Sequence, residues 1–265
     1  MPDSAPATEP ILVARDAANV TVTLNRPDRL NALDLASWRR LTRVLGELDA
    51  DESLRCIILR GAGDKAFAAG ADISAFAAER ADATQARAYG ETVQAAMRAV
   101  AACRHPTVAL IQGVCVGGGL ELASCCDLRI CGESSRFGVP INRLGLTMGH
   151  GELKALLALV GAAAAREILL EGRVFDARHA RRMGLVNRVV ADHEVEAEAI
   201  ASARRIAAGA PLVARWHKQF IDRLADPRPL SEDEIAEGYA SMATEDYAIG
   251  VRAFLDKKPP RFKGR

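Results

Sequence analysis

The chain has 265 residues, 49% of them apolar and 26% charged, with a formal net charge of +1. That content fits one large folded domain, or a domain with an appendage, and excludes disorder over most of the length. The charge balance gives no support for nucleic-acid or membrane-surface binding as a bulk property, and no apolar run reaches the ~18 residues of a membrane span.

Residues 1–10 read as a disordered leader without the basic and apolar segments of a signal peptide. Residues 11–13 and 20–24 follow as strands of a hairpin turning near Asp16. LNRPDRLNALD, residues 24–34, breaks this pattern at Pro27 and leads into a helix whose Leu35, Trp38, Leu41, Leu45 and Leu48 keep helical spacing. Residues 56–59 are a short buried strand, and GAGDKAF then forms a loop before AAGADISAF. Gly61-Ala62-Gly63 lacks the third glycine of a dinucleotide fingerprint and GxxxxGK[ST] is absent, so both nucleotide motifs are rejected.

A long helix over 84–103 delivers the chain into PTVALIQGVCVGGGLELASCCD, residues 106–127, the most informative stretch. Residues 107–114 read as one buried strand. Gly117, Gly118 and Gly119 allow a sharp turn into a helix, whose free N–H groups and dipole suit an anion or a developing oxyanion. Glu121, three residues after Gly118, falls on the same helix face. A tight turn and a dipole-complementing acid are the plainer reading of the same residues.

Further on come a strand at LRIC, an irregular segment through Pro140 and a helix starting near Gly151. A strand at 185–190 and helices at 194–208 and 211–224 follow. Ser231 and Glu234 form a capping box for a helix running on towards Asp246. The end, FLDKKPPRFKGR, reads as a solvated basic tail. Cys56, Cys103, Cys115, Cys125, Cys126 and Cys131 sit mostly in apolar runs, with no CxxC pair and no histidine at metal-ligand spacing. They predict reduced core thiols of a cytoplasmic protein with no metal site. His105, His179, His193 and His217 each stand beside a charged residue and are expected at the surface.

LNRPDRLNALD, KAFAAGADISAF, GVCVGGGLELASCCDLRI, SSRFGVP, EGRVFDARHARRMGLVNRVV and FLDKKPPRFKG resemble, in order, segments of the crotonase (enoyl-CoA hydratase/isomerase) family. The resemblance runs from about Ile11 to the C-terminus. It implies an α/β fold, a spiral of repeated ββα units over 11–200 with a helical trimerisation region over 201–265, and homotrimers or hexamers. It also implies an acyl-CoA thioester as substrate, with no bound cofactor, nucleic acid or membrane.

By motif position, the thioester carbonyl would be held by the N–H groups of Ala71 and Gly118. Their neighbours Gly70, Gly117 and Gly119 allow approach within the roughly 2.7–3.1 Å of an oxyanion donor. CoA would lie along Arg29, Leu30, Ala69, Asp72 and Ile73, and the acyl group near Gly117, Pro140, Ile141 and Leu144. Lys257, in the basic tail, could meet the phosphates of a neighbouring CoA site.

Family hydratases carry two glutamates; here the first is Glu121 and the second position is Ile141. Hydration needs a base for water and an acid for C2, so one role lacks its residue. His150 has a suitable ordinary pKa, Glu152 begins a helix where it complements the dipole, and Asn142 can bond water but not exchange a proton. Hydration is the nominal reaction. Isomerisation, decarboxylation and a non-catalytic acyl-CoA-binding subunit are the alternatives.

Overall fold

The computed structural model describes residues 9–265, and the expected leader falls mostly outside this range. Pro10 is already anchored, its carbonyl accepting from the Asn25 amide at 2.8 Å. The antiparallel hairpin β1 (Ile11–Asp16) and β2 (Asn19–Leu24) leads into α1 (Leu35–Asp49), which buries Trp38, Leu41, Val44, Leu45 and Leu48. Asp34 caps that helix by accepting from the Ser37 amide.

Three turns of the same pattern follow. β3 (Cys56–Gly61) and β4 (Ala66–Ala68) lead through short α2 (Phe76–Glu79) to α3 (Ala83–Ala101); β5 (Thr107–Ile111) and β6 (Val114–Val116) lead to α4 (Gly118–Ser124); β7 (Leu128–Gly132) and β8 (Arg136–Gly138) lead to α5 (His150–Glu171). In each turn the first strand joins a six-stranded sheet and the second a four-stranded one. β9 (Phe175–Asp176) closes the small sheet and β10 (Arg188–Val190) the large one, giving the orders β1-β2-β3-β5-β7-β10 and β4-β6-β8-β9. α6 (Ala177–Arg182) lies between these last two strands in the chain, and α7 (Val195–Ala207) follows them.

The middle of the large sheet is covered on both faces, which explains the near-continuous burial of β3 and β5. Ile57 and Leu59 join the main core with α1 and α3, while Cys56 and Ile58 pack with Val108, Leu110 and Ile130 against Val195, Ala199 and Ala203 of α7. All six cysteines are free thiols, buried except half-buried Cys125. Burial pushes Cys56, Cys126 and Cys131 up to about 12, so these are packing residues without thiolate character.

The expected single strand over 107–114 is two strands in different sheets. The chain changes sheets at Gly113, whose φ is +64° and where a Cβ would lie 2.0 Å from the Lys65 carbonyl oxygen. The expected strand at 185–190 keeps only Arg188–Val190. Leu185 and Val186 are buried core residues, the Leu185 carbonyl accepting from the Arg129 guanidinium. His105 is fully buried rather than on the surface, and neither ring nitrogen has a hydrogen-bond partner among the described residues; His193 and His217 are exposed and His179 is half-buried.

The last helices are α8 (Pro211–Leu224), α9 (Glu232–Glu237) and α10 (Glu245–Leu255). The Ser231–Glu234 capping box is present, but its helix ends at Glu237, and a new one starts where Thr244 caps the Tyr247 amide. The basic tail is tied down in part: buried Asp246 accepts from the Lys263 and Gly264 amides at 2.6 and 2.9 Å.

Gly113→Ala is expected to destabilise the protein by about 1–3 kcal/mol or more, because positive φ and contact with the Lys65 carbonyl act together. Gly46→Ala, in α1 with nothing within 4 Å of the new methyl, should be stabilising by about 1 kcal/mol. Denaturant unfolding of the two variants checks the contrast.

Candidate active site

The loop between β2 and α1 is pinned from within. Asn31, fully buried at φ +56°, donates from Nδ2 to the Ala62 and Ala66 carbonyls and accepts at Oδ1 from the Arg26 amide. The Arg26 guanidinium reaches the Ala32 carbonyl at 2.7 Å, Asp72 at 2.8 Å and Asp34 at 3.3 Å. Facing it, the Ala69 amide donates to Leu30, the Leu33 amide to Gly70 and the Asp72 amide to Leu33. These bonds fix residues 69–72 while the Ala71 N–H donates to no group among the described residues.

Across from this segment, Gly117 at φ +50° turns β6 into α4, and Gly118 is the first helical residue. Its N–H precedes the first intrahelical bond and is likewise unused among the described residues. The two backbones nearly touch: a Cβ on Gly70 would stand 3.4 Å from the Gly118 nitrogen, and one on Gly118 would stand 3.5 Å from the Ala71 nitrogen. Both free donors border a cavity of about 150 Å³.

Glu121 enters the same cavity from the first turn of α4, only 9% exposed, and its carboxyl group accepts no protein hydrogen bond among the described residues. Burial, then the Glu152 carboxylate, push its pKa up to about 8, against a smaller opposing pull from Arg80. The folded state thus keeps a proton that the unfolded chain loses near 4.5. Glu121 therefore costs stability increasingly as pH rises from 4.5 to about 8, and no further above it.

Such a pair of unengaged amides beside a protonated acid can hold a carbonyl oxygen as it gains charge and move a proton beside it. The enoyl-CoA hydratase/isomerase family model matches residues 15–265, nearly the whole chain. The chain belongs to this family. A crystal structure of an "enoyl-CoA hydratase/ carnithine racemase" from Magnetospirillum magneticum superposes with a TM-score of 0.96 at 52% identity, covering 98% of this chain and 97% of that one. An enoyl-CoA hydratase structure from Bacillus anthracis gives 0.91 at 32% identity, over 97% and 100%. A "Probable enoyl-CoA hydratase" of Mycobacterium tuberculosis is 40% identical over 97% of this chain and 99% of its own length. Membership makes the chain an enzyme of the hydratase/isomerase type and its two sheets with ββα turns the family's fold.

Of the family positions expected to form the site, Ala69, Ala71, Ile73, Gly117, Gly118, Glu121, Pro140, Ile141 and Leu144 all border the cavity. Arg29 and Leu30 lie outside its lining, as does exposed Lys257. Asp72 is engaged elsewhere: bonds from Ser74, and then the Arg26 guanidinium, hold its carboxyl below the usual range. His150 and Asn142 are exposed and outside the lining, Asn142 donating to the Leu170 carbonyl at 3.1 Å. Glu152, two residues after His150 and so on the other face of α5, borders the cavity instead. Trp38, Phe76, Arg80, Tyr89 and Met148 also line it. Trp38 was legible only as a core position of α1, and the others carried no local signal.

Arg26→Met should leave the poorly exposed Asp72 carboxylate without its cation and loosen the segment presenting Ala71, at a cost of about 1–3 kcal/mol. Denaturant unfolding reads the loss, and Arg26→Lys should recover only part of it because one ammonium cannot span the three acceptors.

Proposed function

We propose that the enzyme hydrates 2-enoyl-CoA thioesters, using Glu121 and Glu152 as its two acids. The observation that carries this reading is the shared cavity, which has the Ala71 and Gly118 amides on one side and both carboxyls on its wall. The thioester carbonyl sits between the two N–H groups. Water adds to C3 and gives a proton to Glu152, electron density moves onto the carbonyl oxygen, and protonated Glu121 delivers its proton to C2. Proton exchange between the two acids restores the starting state.

Ile141 supports a second reading. It places an apolar side chain where the family's second acid would stand, so a double-bond isomerisation run by Glu121 alone, as a base moving a proton between C2 and C4, also fits the cavity. Decarboxylation through the same enolate needs only the two amides.

The two main readings require opposite states of Glu121, and its raised pKa lets pH separate them. For hydration, kcat/KM should be level at neutral pH and fall as pH rises through about 8; for isomerisation it should rise through the same value. Rates with crotonyl-CoA and with a 3-enoyl-CoA, followed from about pH 6 to 9.5, decide between them. Glu121→Gln should remove turnover in either case, whereas Glu152→Gln should lower hydration by ~10²–10⁴-fold.

Association of like chains fits the region from residue 201 on. Ile221, Leu224, Phe254 and Leu255 stand exposed on α8 and α10, Phe254 at 84%. A trimer or hexamer should sediment at three or six times the 28.3 kDa of one chain, and a monomer at micromolar concentration would refute it. The free buried thiols suit a cytoplasmic setting, and no helix among the described residues is long and apolar enough to cross a membrane.

A further inference from the structure

Among the described residues, Arg80 is the only basic one bordering the cavity. It stands at the C-terminal end of α2, where its amide donates to the Phe76 carbonyl at 2.8 Å. Its guanidinium carbon lies 4.3 Å from the Phe76 ring centre and 3.8 Å from that of Tyr89, two rings set at 71° to each other. The aromatic faces hold the cation in place and shield it from water.

Among the described residues Arg80 makes no ion pair, and its Nε is buried without a hydrogen-bond partner. The neighbouring Glu79 does not supply one, and it has a buried, unpartnered carboxyl oxygen of its own. Glu121 feels the charge of Arg80 but is itself buried, so it makes a poor counter-ion. A fixed, partly desolvated guanidinium facing an otherwise mostly apolar cavity is suited to a planar anion arriving with the ligand.

We propose that Arg80 selects acyl chains ending in a carboxylate, so that the substrates are CoA thioesters of short dicarboxylic acids whose free end pairs with this guanidinium. The inference rests on the acyl-CoA reading above. The rest of the wall, with Ile141, Leu146 and Met148, accommodates the methylenes between the thioester and the anion.

Binding of saturated thioesters tests this without any turnover. Succinyl-, glutaryl- and adipoyl-CoA would be compared by calorimetry with butyryl-, valeryl- and hexanoyl-CoA on the native assembly. For at least one chain length the carboxylated ligand should bind about 10–100-fold tighter, the range a hydrogen-bonded charge pair supplies. Arg80→Gln should reduce that ratio at least tenfold, and Arg80→Lys should keep part of it. Equal or tighter binding of the methyl-ended ligand at every length would overturn the proposal, as would a carboxylate preference that survives Arg80→Gln. Failure of all six thioesters to bind would instead overturn the acyl-CoA reading beneath it.

Discussion

The site depends on one backbone contact, the approach of the segment after β4 to the turn between β6 and α4. A Cβ on Gly119 would fall 2.3 Å from the Ala68 carbonyl oxygen, and one on Gly70 would fall 3.2 Å from that of Val116. No side chain fits between the two segments. The Ala71 and Gly118 amides are therefore brought to one cavity by main-chain packing. Unused amides near a core are costly, and they persist because Arg26, Asn31 and Leu33 hold one segment while the small sheet holds the other.

The polar groups of the cavity follow from that geometry. Glu121 has to sit in the first turn of a helix whose start is fixed by Gly117, so it is buried without donors and keeps its proton well above the usual carboxylate range. Glu152 reaches the same space from α5, and the repulsion between the two carboxyls helps to hold the proton on Glu121. Arg80 opposes that effect from between its aromatic rings, so the carboxylate of Glu152 and the guanidinium of Arg80 pull in opposite directions on the proton of Glu121. A substitution at Glu152 or Arg80 shifts the titration of Glu121.

The double-sheet spiral makes this arrangement possible. Each turn sends one strand to either sheet, so the ends of β4, β6 and β8 lie side by side, with α4 starting directly after β6. Buried Arg129, on β7 of the large sheet, braces the C-terminal end of α4, donating to the carbonyls of Leu185, Ala123 and Cys126. α4 is thus held between a glycine contact at its start and an arginine network at its end.

The sequence by itself determined the elements with local causes. The spacing of Leu35, Trp38, Leu41, Leu45 and Leu48 marked α1, the Ser231–Glu234 pair marked the start of α9, and the glycine triplet with Glu121 marked the turn and its acid. Each of these depends on neighbours within about one helical turn, where periodicity and capping chemistry act. What the sequence could not supply was decided by contacts across long stretches of chain. The sheet change at Gly113 needs the Lys65 carbonyl, the engagement of Asp72 needs Arg26, and burial of His105 needs the packing around it. The choice between His150 and Glu152 depends on which face of one helix meets the cavity, and the Arg80 cation needs rings from both α2 and α3. Side-chain direction and desolvation are set by the packed fold, so only the tertiary structure could decide which charges share the site.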